Sequence, residues 1–227
     1  MKLYQPRKSW KAMWEGETTP HWEVVPMAAE LSLLFSGAKR DRVLEIGCGN
    51  GILFDLLGFS QSENYHGVDL SSSMIDEFRK RKPTVSLSVG PAEKYEDGNQ
   101  YDLIFSNGLV QYFDLEMLDE MLTRSMRMLA PHGRIIMASI PWRATRNHFY
   151  RGDLTKNPRA GAIQYLKSLI SSWKGNFMGR WYDPREIQKA ADRQGLNLTL
   201  AGSLYYPYRF HAIFNRPEVA STTSKAA

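Results

Sequence analysis

The chain contains very little cysteine and no long apolar run. Cys48 is the one cysteine among 227 residues, which excludes a disulfide framework and a cysteine-based zinc site and favours a reducing, cytoplasmic environment. No stretch approaches the roughly 18 apolar residues needed to span a bilayer, and the first residues lack the apolar centre of a secretory signal. With 43% hydrophobic residues, the length and composition predict one domain with a sizeable core.

Glycine, by contrast, is concentrated directly after a short apolar segment. Residues 43–51 read Val-Leu-Glu-Ile-Gly-Cys-Gly-Asn-Gly, and apolar residues at helical spacing follow them. Glycine permits tight turns with positive φ and lets a ligand lie against bare backbone, and the N-terminus of a helix offers unpaired N–H groups to an anion. The pattern predicts a strand, a ligand-binding loop and a helix, with a nucleotide-type cofactor as the ligand.

The spacing of these glycines separates two kinds of cofactor. A dinucleotide loop has the pattern G-x-G-x-x-G, but the position of its third glycine is Ile52 here. Glu45, two residues before Gly47, suits a cofactor with a cationic amine and suits a pyrophosphate badly. An NAD-dependent oxidoreductase is therefore a disfavoured alternative.

A second candidate anchor is Asp69, which ends the apolar segment at residues 65–69. In a β-α-β unit, its distance from the glycines places it at the tip of the neighbouring strand. A carboxylate there can accept hydrogen bonds from both hydroxyls of a ribose, although such an acid can also cap the next helix. Ser73 and Asp76 have the spacing of a capping box for that helix.

The segment from Glu45 to Gly51 resembles motif I of the class I S-adenosylmethionine-dependent methyltransferases. The resemblance implies an α/β fold with a Rossmann-like, seven-stranded, mostly parallel sheet, a reversed C-terminal strand and helices on both faces, to which residues 141–181 add an insertion after the fifth strand. It implies S-adenosyl-L-methionine as the cofactor, with Asp69 at the ribose and residues 92–93 at the adenine. The cofactor-binding residues expected in this way are Glu45, Gly47, Cys48, Gly49, Asn50, Gly51, Asp69, Leu70, Met74, Ala92, Glu93, Ser106 and Asn107.

The fourth predicted strand, residues 101–107, should end beside the transferred methyl group. Ligands of open α/β sheets bind outside the carboxyl ends of the strands, so Gln111 and Tyr112 are expected to contact the acceptor. The segment is not Asn-Pro-Pro-Tyr, which argues against methylation of DNA bases. It also lacks clustered acids, so we expect no metal.

The remaining periodicity and turn residues predict the order of the elements. Helices are expected at residues 23–35, 51–58, from 73 onward, from 115 onward and at 183–195. Strands are expected at residues 41–46, 65–69, 85–89, 101–107, 135–140, 196–204 and 208–215, with a turn at 129–134 before the fifth. The apolar face of the helix after Asp114 is expected to include Leu118, Met121, Leu122, Met126 and Leu129.

Residues 141–181, which follow the fifth strand, are strongly basic. They contain eight Lys or Arg and the single acid Asp153, a net charge of +7 in a chain whose total is +5. Three interpretations stay open: a solvated basic face, a cap over an anionic acceptor, or a contact with nucleic acid or an anionic membrane. Nucleic acid is disfavoured because the basic residues do not form one periodic helix face. If the segment is a cap, Arg143 and Arg146 are nearest the strand and are expected to bind the acceptor.

The domain organisation follows from these segments. Residues 1–40 are expected to form an N-terminal part of the same domain, whose aromatic and basic beginning either covers the cofactor or packs on the domain surface. Residues 41–215 are expected to form the methyltransferase domain, and residues 216–227 a disordered tail. The oligomeric state stays open.

Methyl transfer depends mainly on positioning, and a base is needed only if the acceptor arrives protonated. His148, Tyr150 and His211 are the candidate bases, although His211 lies in an apolar strand and can simply satisfy the core. The sequence thus predicts a methyltransferase for a small anionic acceptor: a carboxylate, a phosphorylated sugar or a sugar hydroxyl, in surface-glycan or specialised-metabolite biosynthesis. A non-catalytic cofactor-binding or partner module on the same fold is the other alternative.

Overall fold

A computed structural model describes residues 21–59, 64–154 and 178–217. Seven strands form one sheet in the order β3-β2-β1-β4-β5-β7-β6. β7 runs antiparallel to β5 and β6, and the other neighbouring pairs are parallel. This confirms the predicted Rossmann-like sheet with a reversed C-terminal strand. The strands are β1 (Val43–Ile46), β2 (Tyr65–Asp69), β3 (Ser86–Val89), β4 (Tyr101–Asn107), β5 (Leu129–Pro141), β6 (Asn197–Gly202) and β7 (Arg209–Asn215).

Helices cover both faces of the sheet. This is expected because the side chains on either face of the central strands are mostly apolar. In β1, Leu44 and Ile46 pack in a cluster with α4 and α6, whereas Val43 packs in a second cluster with α1, α2 and α3. The described α-helices are α1 (His21–Leu34), α2 (Ile52–Leu56), α3 (Ser72–Arg81), α4 (Leu115–Arg127), α5 (Arg146–Arg151) and α6 (Pro184–Arg193). None of them has both the length and the apolar character required to cross a bilayer.

Two predicted helix starts are confirmed by their caps. The side chain of Asp114 accepts the N–H of Met117 at the start of α4. At α6, Asp183 and Glu186 form a reciprocal capping box with proline at the first position. Such caps satisfy backbone N–H groups that have no partner inside the helix.

The capping box predicted for α3 is wrong. Ser71 caps the helix, since its hydroxyl accepts the N–H of Met74 and its backbone is extended. Asp76 instead pairs with Arg79 at 3.2 Å on the exposed surface. The cap lies two residues earlier than Ser73 because the chain leaves β2 and turns into the helix without an intervening loop.

The predicted turn at residues 129–134 is part of β5, so Leu129 lies on a strand and not on the apolar face of α4. The chain enters the sheet at once because the N–H of Tyr101 donates to the carbonyl of Met128. The register between β4 and β5 shifts here, since Tyr101 pairs with Leu129 but Leu103 pairs with Arg134. Gly133 is needed there, since a Cβ would lie 2.9 Å from the carbonyl oxygen of Tyr101.

The predicted helix at residues 51–58 is also shorter than expected, because α2 contains only five residues. Gly51 precedes it in the left-handed conformation, with φ of +79°. A Cβ on Gly51 would lie 2.4 Å from the ring of Phe78 on α3. The close approach of the loop to α3 therefore depends on glycine at this position.

Replacing Gly51 with alanine should destabilise the fold by at least about 2 kcal/mol, because a left-handed alanine costs roughly 1–2 kcal/mol and overpacking adds about 1–3 kcal/mol. Gly58 is the matched control, since its φ is +76° and a Cβ there would meet nothing within 4 Å. Gly58→Ala should lower the free energy of unfolding only by the cost of a left-handed alanine, roughly 1–2 kcal/mol. Urea unfolding measures both, and equal losses would contradict the contact with Phe78.

Candidate active site

The glycine loop after β1 turns through three left-handed positions. Gly47, Gly49 and Gly51 have φ of +82°, +53° and +79°. The N–H groups of Gly47 and Cys48 both donate to the carbonyl of Val68 on β2, at 2.7 and 3.0 Å. A Cβ at Gly49 would meet no atom within 4 Å, so a ligand can approach the bare backbone there.

Asp69 fastens this loop to the tip of β2. One carboxylate oxygen accepts the N–H of Gly49 and the other accepts the N–H of Ser71, both at 2.8 Å. Burial raises the pKa of Asp69, and the backbone N–H groups oppose that rise. Each carboxylate oxygen has a further lone pair, so the group can still accept from the hydroxyls of a ligand. Leu70 follows with 49% of its surface exposed, and Met74 is buried in the first turn of α3.

Glu45 lies inside the core, with 1% of its surface exposed. It accepts a hydrogen bond of 2.5 Å from the hydroxyl of Tyr65. Burial raises its pKa to about 8, against the lowering effect of the Tyr65 hydrogen bond and with a small addition from Asp69. Burial raises the pKa of the Cys48 thiol, and the carboxylates of Glu45 and Asp69 raise it further. The predicted contacts of Glu45 and Cys48 with a cofactor stay predictions.

The other residues predicted for the cofactor lie around the same edge of the sheet. The carbonyl of Asn50 accepts a hydrogen bond from Arg81. Ala92 and Glu93 form a short 3₁₀ turn after β3, with Glu93 buried and Ala92 packed against the core. Ser106 is fully buried, and its hydroxyl has no hydrogen-bond partner among the described residues.

Asn107, at the tip of β4, is joined to two other elements. Its Oδ1 accepts from the hydroxyl of Ser139 at 2.7 Å, and its Nδ2 lies 2.8 Å from the sulfur of Met27 on α1. Ser139 sits in β5 where the register against β7 shifts. It has φ of +59°, the only positive φ of a non-glycine residue in the described ranges. Such strain persists only where surrounding contacts hold it.

Comparison with known proteins agrees with this geometry. Residues 43–133 match a family model described as a methyltransferase domain. A malonyl-[acyl-carrier protein] O-methyltransferase of Priestia megaterium is 39% identical over 102 residues, which cover 43% of this chain and 36% of that protein. A trans-aconitate 2-methyltransferase of Methylobacterium nodulans is 33% identical over 107 residues, covering 47% and 41%. The chain thus spans about a third to two fifths of the length of these two relatives.

A solved structure shares the fold over most of both chains. N-methyltransferase NodS from Bradyrhizobium japonicum, in complex with S-adenosyl-L-homocysteine, superposes with a TM-score of 0.58 at 18% identity. The match covers 90% of this chain and 92% of NodS. Residues 43–133 thus match a methyltransferase domain, and the sequence relatives and the shared fold together support a class I S-adenosylmethionine-dependent methyltransferase.

Ser139 is held by two residues of β7. Its N–H donates to Nδ1 of His211 at 3.1 Å, and its carbonyl accepts from the guanidinium of Arg209. His211 is 1% exposed, and its Nε2 lies 3.3 Å from a carboxylate oxygen of Glu30 without the alignment of a hydrogen bond. Burial lowers the pKa of His211, although the Glu30 charge opposes this.

These contacts bear on His211 as a candidate base. Because Nδ1 accepts an amide N–H, the neutral ring carries its proton on Nε2. Neither nitrogen then has a lone pair free to take a proton from an acceptor. The structure thus favours the alternative in which His211 satisfies the core and supports Ser139.

The other two candidate bases lie in the segment after β5 but in different surroundings. The ring of His148 is 58% exposed and lies 3.1 Å from Asp153. Tyr150 is buried in a cluster with Met178 and Trp181. The three candidate bases thus have different surroundings, since His148 is exposed, Tyr150 lies in this cluster and His211 lies in the core.

The basic segment leaves and rejoins the sheet at the end of β5. Trp142 forms a bridge with Tyr182, and the hydroxyl of Tyr182 donates to the carbonyls of Val110 and Phe113. This fixes the segment after β4, in which the carbonyl of Gln111 also accepts the N–H of Arg180 at 2.7 Å. The basic residues Lys156, Arg159, Lys167 and Lys174 lie outside the described residues.

Arg143 and Arg146, the two arginines expected to bind the acceptor, both already have partners. Arg143 pairs with Glu186 at 2.5 Å, and Arg180 pairs with the same carboxylate at 2.9 Å. Burial alone would raise the pKa of Glu186, but these arginines and the N–H of Asp183 lower it. The guanidinium of Arg146 lies 5.9 Å from the ring centre of Tyr150.

Sequence reasoning missed Ser139, Arg209 and Glu30. The sequence could have indicated Arg209, because it is the first residue of a strand expected to return beside β5. This position places it at the edge of the sheet where the parallel strands end. Tyr112, which was predicted, is half-buried and packs against the core. Among the residues that the structure describes, no three His, Cys, Asp or Glu side chains converge to hold a metal ion, and the expectation of no metal stays a prediction.

The raised pKa of Glu45 predicts a stability that depends on pH. A carboxyl group with a folded pKa of about 8 instead of 4.5 stabilises the fold fully below pH 4.5, and this contribution is lost as the pH rises through 8. Between these values, the free energy of unfolding should fall by up to about 1.4 kcal/mol per pH unit from this group.

Glu45→Gln should remove that dependence, whereas Glu77→Gln, at an exposed position on α3, should keep it. Urea unfolding at several pH values between 5 and 8 measures the slopes. Identical slopes for the parent and Glu45→Gln would contradict the assignment.

Proposed function

We propose that this protein transfers a methyl group from S-adenosyl-L-methionine to a small acceptor that carries a carboxylate. The observation that carries the cofactor assignment is the Asp69 carboxylate, which accepts the N–H groups of Gly49 and Ser71 beside an open stretch of backbone. When bound, the cofactor supplies an electrophilic methyl group on a positively charged sulfur.

The residues at this edge fit such a cofactor. Asp69 keeps lone pairs for the two ribose hydroxyls, and the exposed side chain of Leu70 offers an apolar surface next to it for a flat base. Ala92 and Glu93 are assigned to the edge of the adenine. Gly49 admits the remainder of the molecule, since a side chain there would occupy the open space that the bare backbone leaves.

The acceptor side contributes mainly positioning. Asn107 is fixed by Ser139 and lies at the tip of β4, where the reacting atoms are expected. Nδ1 of His148 contacts Asp153 at an exposed position, which leaves its Nε2 able to accept a proton, whereas Nδ1 of His211 accepts the N–H of Ser139. An acceptor that arrives ionised needs no base. Two relatives are named for methyl transfer to malonyl-[acyl-carrier protein] and to trans-aconitate, which supports an acidic acceptor here.

A screen with isotopically labelled cofactor tests the activity. The protein is incubated with mixtures of small carboxylates, sugar phosphates and neutral sugars, and labelled products are detected by mass spectrometry. We expect methylated carboxylates. Labelled products from neutral sugars alone would overturn the acceptor class, and cofactor binding without any labelled product would favour a non-catalytic module.

Cofactor binding should depend on Asp69. Asp69→Asn removes the charge and one acceptor position, so the affinity for S-adenosyl-L-homocysteine should fall about ten- to a hundredfold, the scale of one or two lost hydrogen bonds to a charged group. Asp76→Asn, at the exposed pair with Arg79, should bind like the parent. Titration calorimetry compares the three proteins, and equal affinity in all of them would refute the ribose role.

A further inference from the structure

Arg209 lies at the edge where the acceptor is expected. It is the first residue of β7 and pairs with Pro141, the last residue of β5. Because β7 is antiparallel, its beginning lies beside the carboxyl ends of the parallel strands, where ligands of such sheets bind. The residue is half-buried, so its guanidinium is partly desolvated and still reachable.

The guanidinium is oriented from one side only. Its Nη1 donates to Oε1 of Gln111 at 3.1 Å and to the carbonyl of Ser139. Its Nη2 has the sulfur of Met178 at 4.0 Å as its contact, and sulfur is a weak acceptor. Among the described residues, Nε and Nη2 therefore have no oxygen partner, and these two nitrogens form a fork that matches a carboxylate.

The charge of Arg209 is also uncompensated within the described ranges. No described carboxylate lies within 4 Å of it, whereas Arg143 and Arg180 share Glu186. A partly buried cation without a counter-ion is unfavourable. Binding of a single anion would satisfy both the charge and the unused donors.

Two aromatic rings lie beside the fork. The guanidinium lies 5.7 Å from the ring centre of Tyr206 and 5.5 Å from that of Tyr208. The ring of Tyr208 in turn packs against Phe149 at 4.5 Å and near Trp181 at 6.3 Å. These rings offer an apolar wall to the body of a ligand whose charged end is at Arg209.

The fork is connected to the tip of β4 through one residue. Ser139 accepts from Arg209 with its carbonyl and donates to Asn107 with its hydroxyl. Gln111, the other partner of Arg209, belongs to the segment that follows Asn107. A ligand held at Arg209 therefore lies next to the position expected for the methyl group.

We propose that Arg209, oriented by Gln111, binds a carboxylate that orients the methyl acceptor and is not itself methylated. Pairing with a guanidinium draws charge from both carboxylate oxygens and makes them poorer nucleophiles. The acceptor then carries this carboxylate and a second carboxylate that takes the methyl group, as a dicarboxylic acid does. One uncompensated cation matches a monoanionic carboxylate better than a phosphate dianion. This inference rests on the proposed function, because it takes the ligand at Arg209 to be the methyl acceptor.

Direct binding of a simple dicarboxylate tests the site without turnover. Malonate and inorganic phosphate are titrated by calorimetry into the protein saturated with S-adenosyl-L-homocysteine. We compare the parent with Arg209→Gln, Arg209→Lys, Gln111→Glu and the control Arg127→Gln, at an exposed arginine that pairs with Glu96 at the end of α4. Gln111→Glu keeps Arg209 in place but gives it an internal counter-ion, so it tests the charge even if the Arg209 variants are destabilised.

Malonate affinity should fall about ten- to a hundredfold in Arg209→Gln and in Gln111→Glu. Arg209→Lys should lose several-fold because a single ammonium cannot pair with both oxygens. Arg127→Gln should bind malonate like the parent, and all variants should bind S-adenosyl-L-homocysteine alike. Equal losses at Arg127 and Arg209, unchanged affinity in Arg209→Gln and Gln111→Glu, or tighter binding of phosphate than of malonate would overturn the proposal.

Kinetics with an acceptor from the screen separates this proposal from the proposed function. A raised KM with a nearly unchanged kcat in Gln111→Glu supports both. Methylation of carboxylates with unchanged KM in Arg209→Gln would overturn the Arg209 site and leave the function standing. Malonate binding that depends on Arg209, without methylation of any carboxylate, would support an anion site and overturn the function.

Discussion

The bridge that Asp69 makes between Gly49 and Ser71 is the interaction on which the proposed cofactor half of the site depends. It joins the loop after β1, the tip of β2 and the start of α3 through one carboxylate. The carbonyl of Val68 holds the same loop from the backbone side. The loop is therefore fixed without using its outward surface, and the backbone at Gly49 stays open to a ligand.

The fold could be predicted from the sequence where apolar runs end abruptly in polar residues. The bounds of β2 and β4 agree with prediction for this reason, and Asp114 and Asp183 marked two helix starts by residue type alone. The errors arose where two local patterns competed. Ser71 and Ser73 are both suitable caps, and only the course of the chain out of β2 selects Ser71.

The site was predictable to the extent that it is made of consecutive residues. Arg143 was chosen because it is near β5 in sequence, but its charge is paired with Glu186, 43 residues later. Arg209 reaches Ser139 across 70 residues, and His211 reaches the same residue across 72. Sequence shows where charges occur, but not which opposite charge or carbonyl the sheet places beside them.

The two halves of the proposed site are consequently built from different parts of the chain. The proposed cofactor half is built from β1 and β2, largely from backbone groups and one carboxylate, and it lies within residues 43–133. The proposed acceptor half joins β4 to β5 and β7 through Asn107, Ser139 and Arg209, and the last two lie beyond that range. The pairing of a reversed strand with β5 is what brings distant side chains to the tip of β4. Substitutions in β7 can thus change the acceptor while the cofactor loop keeps its geometry.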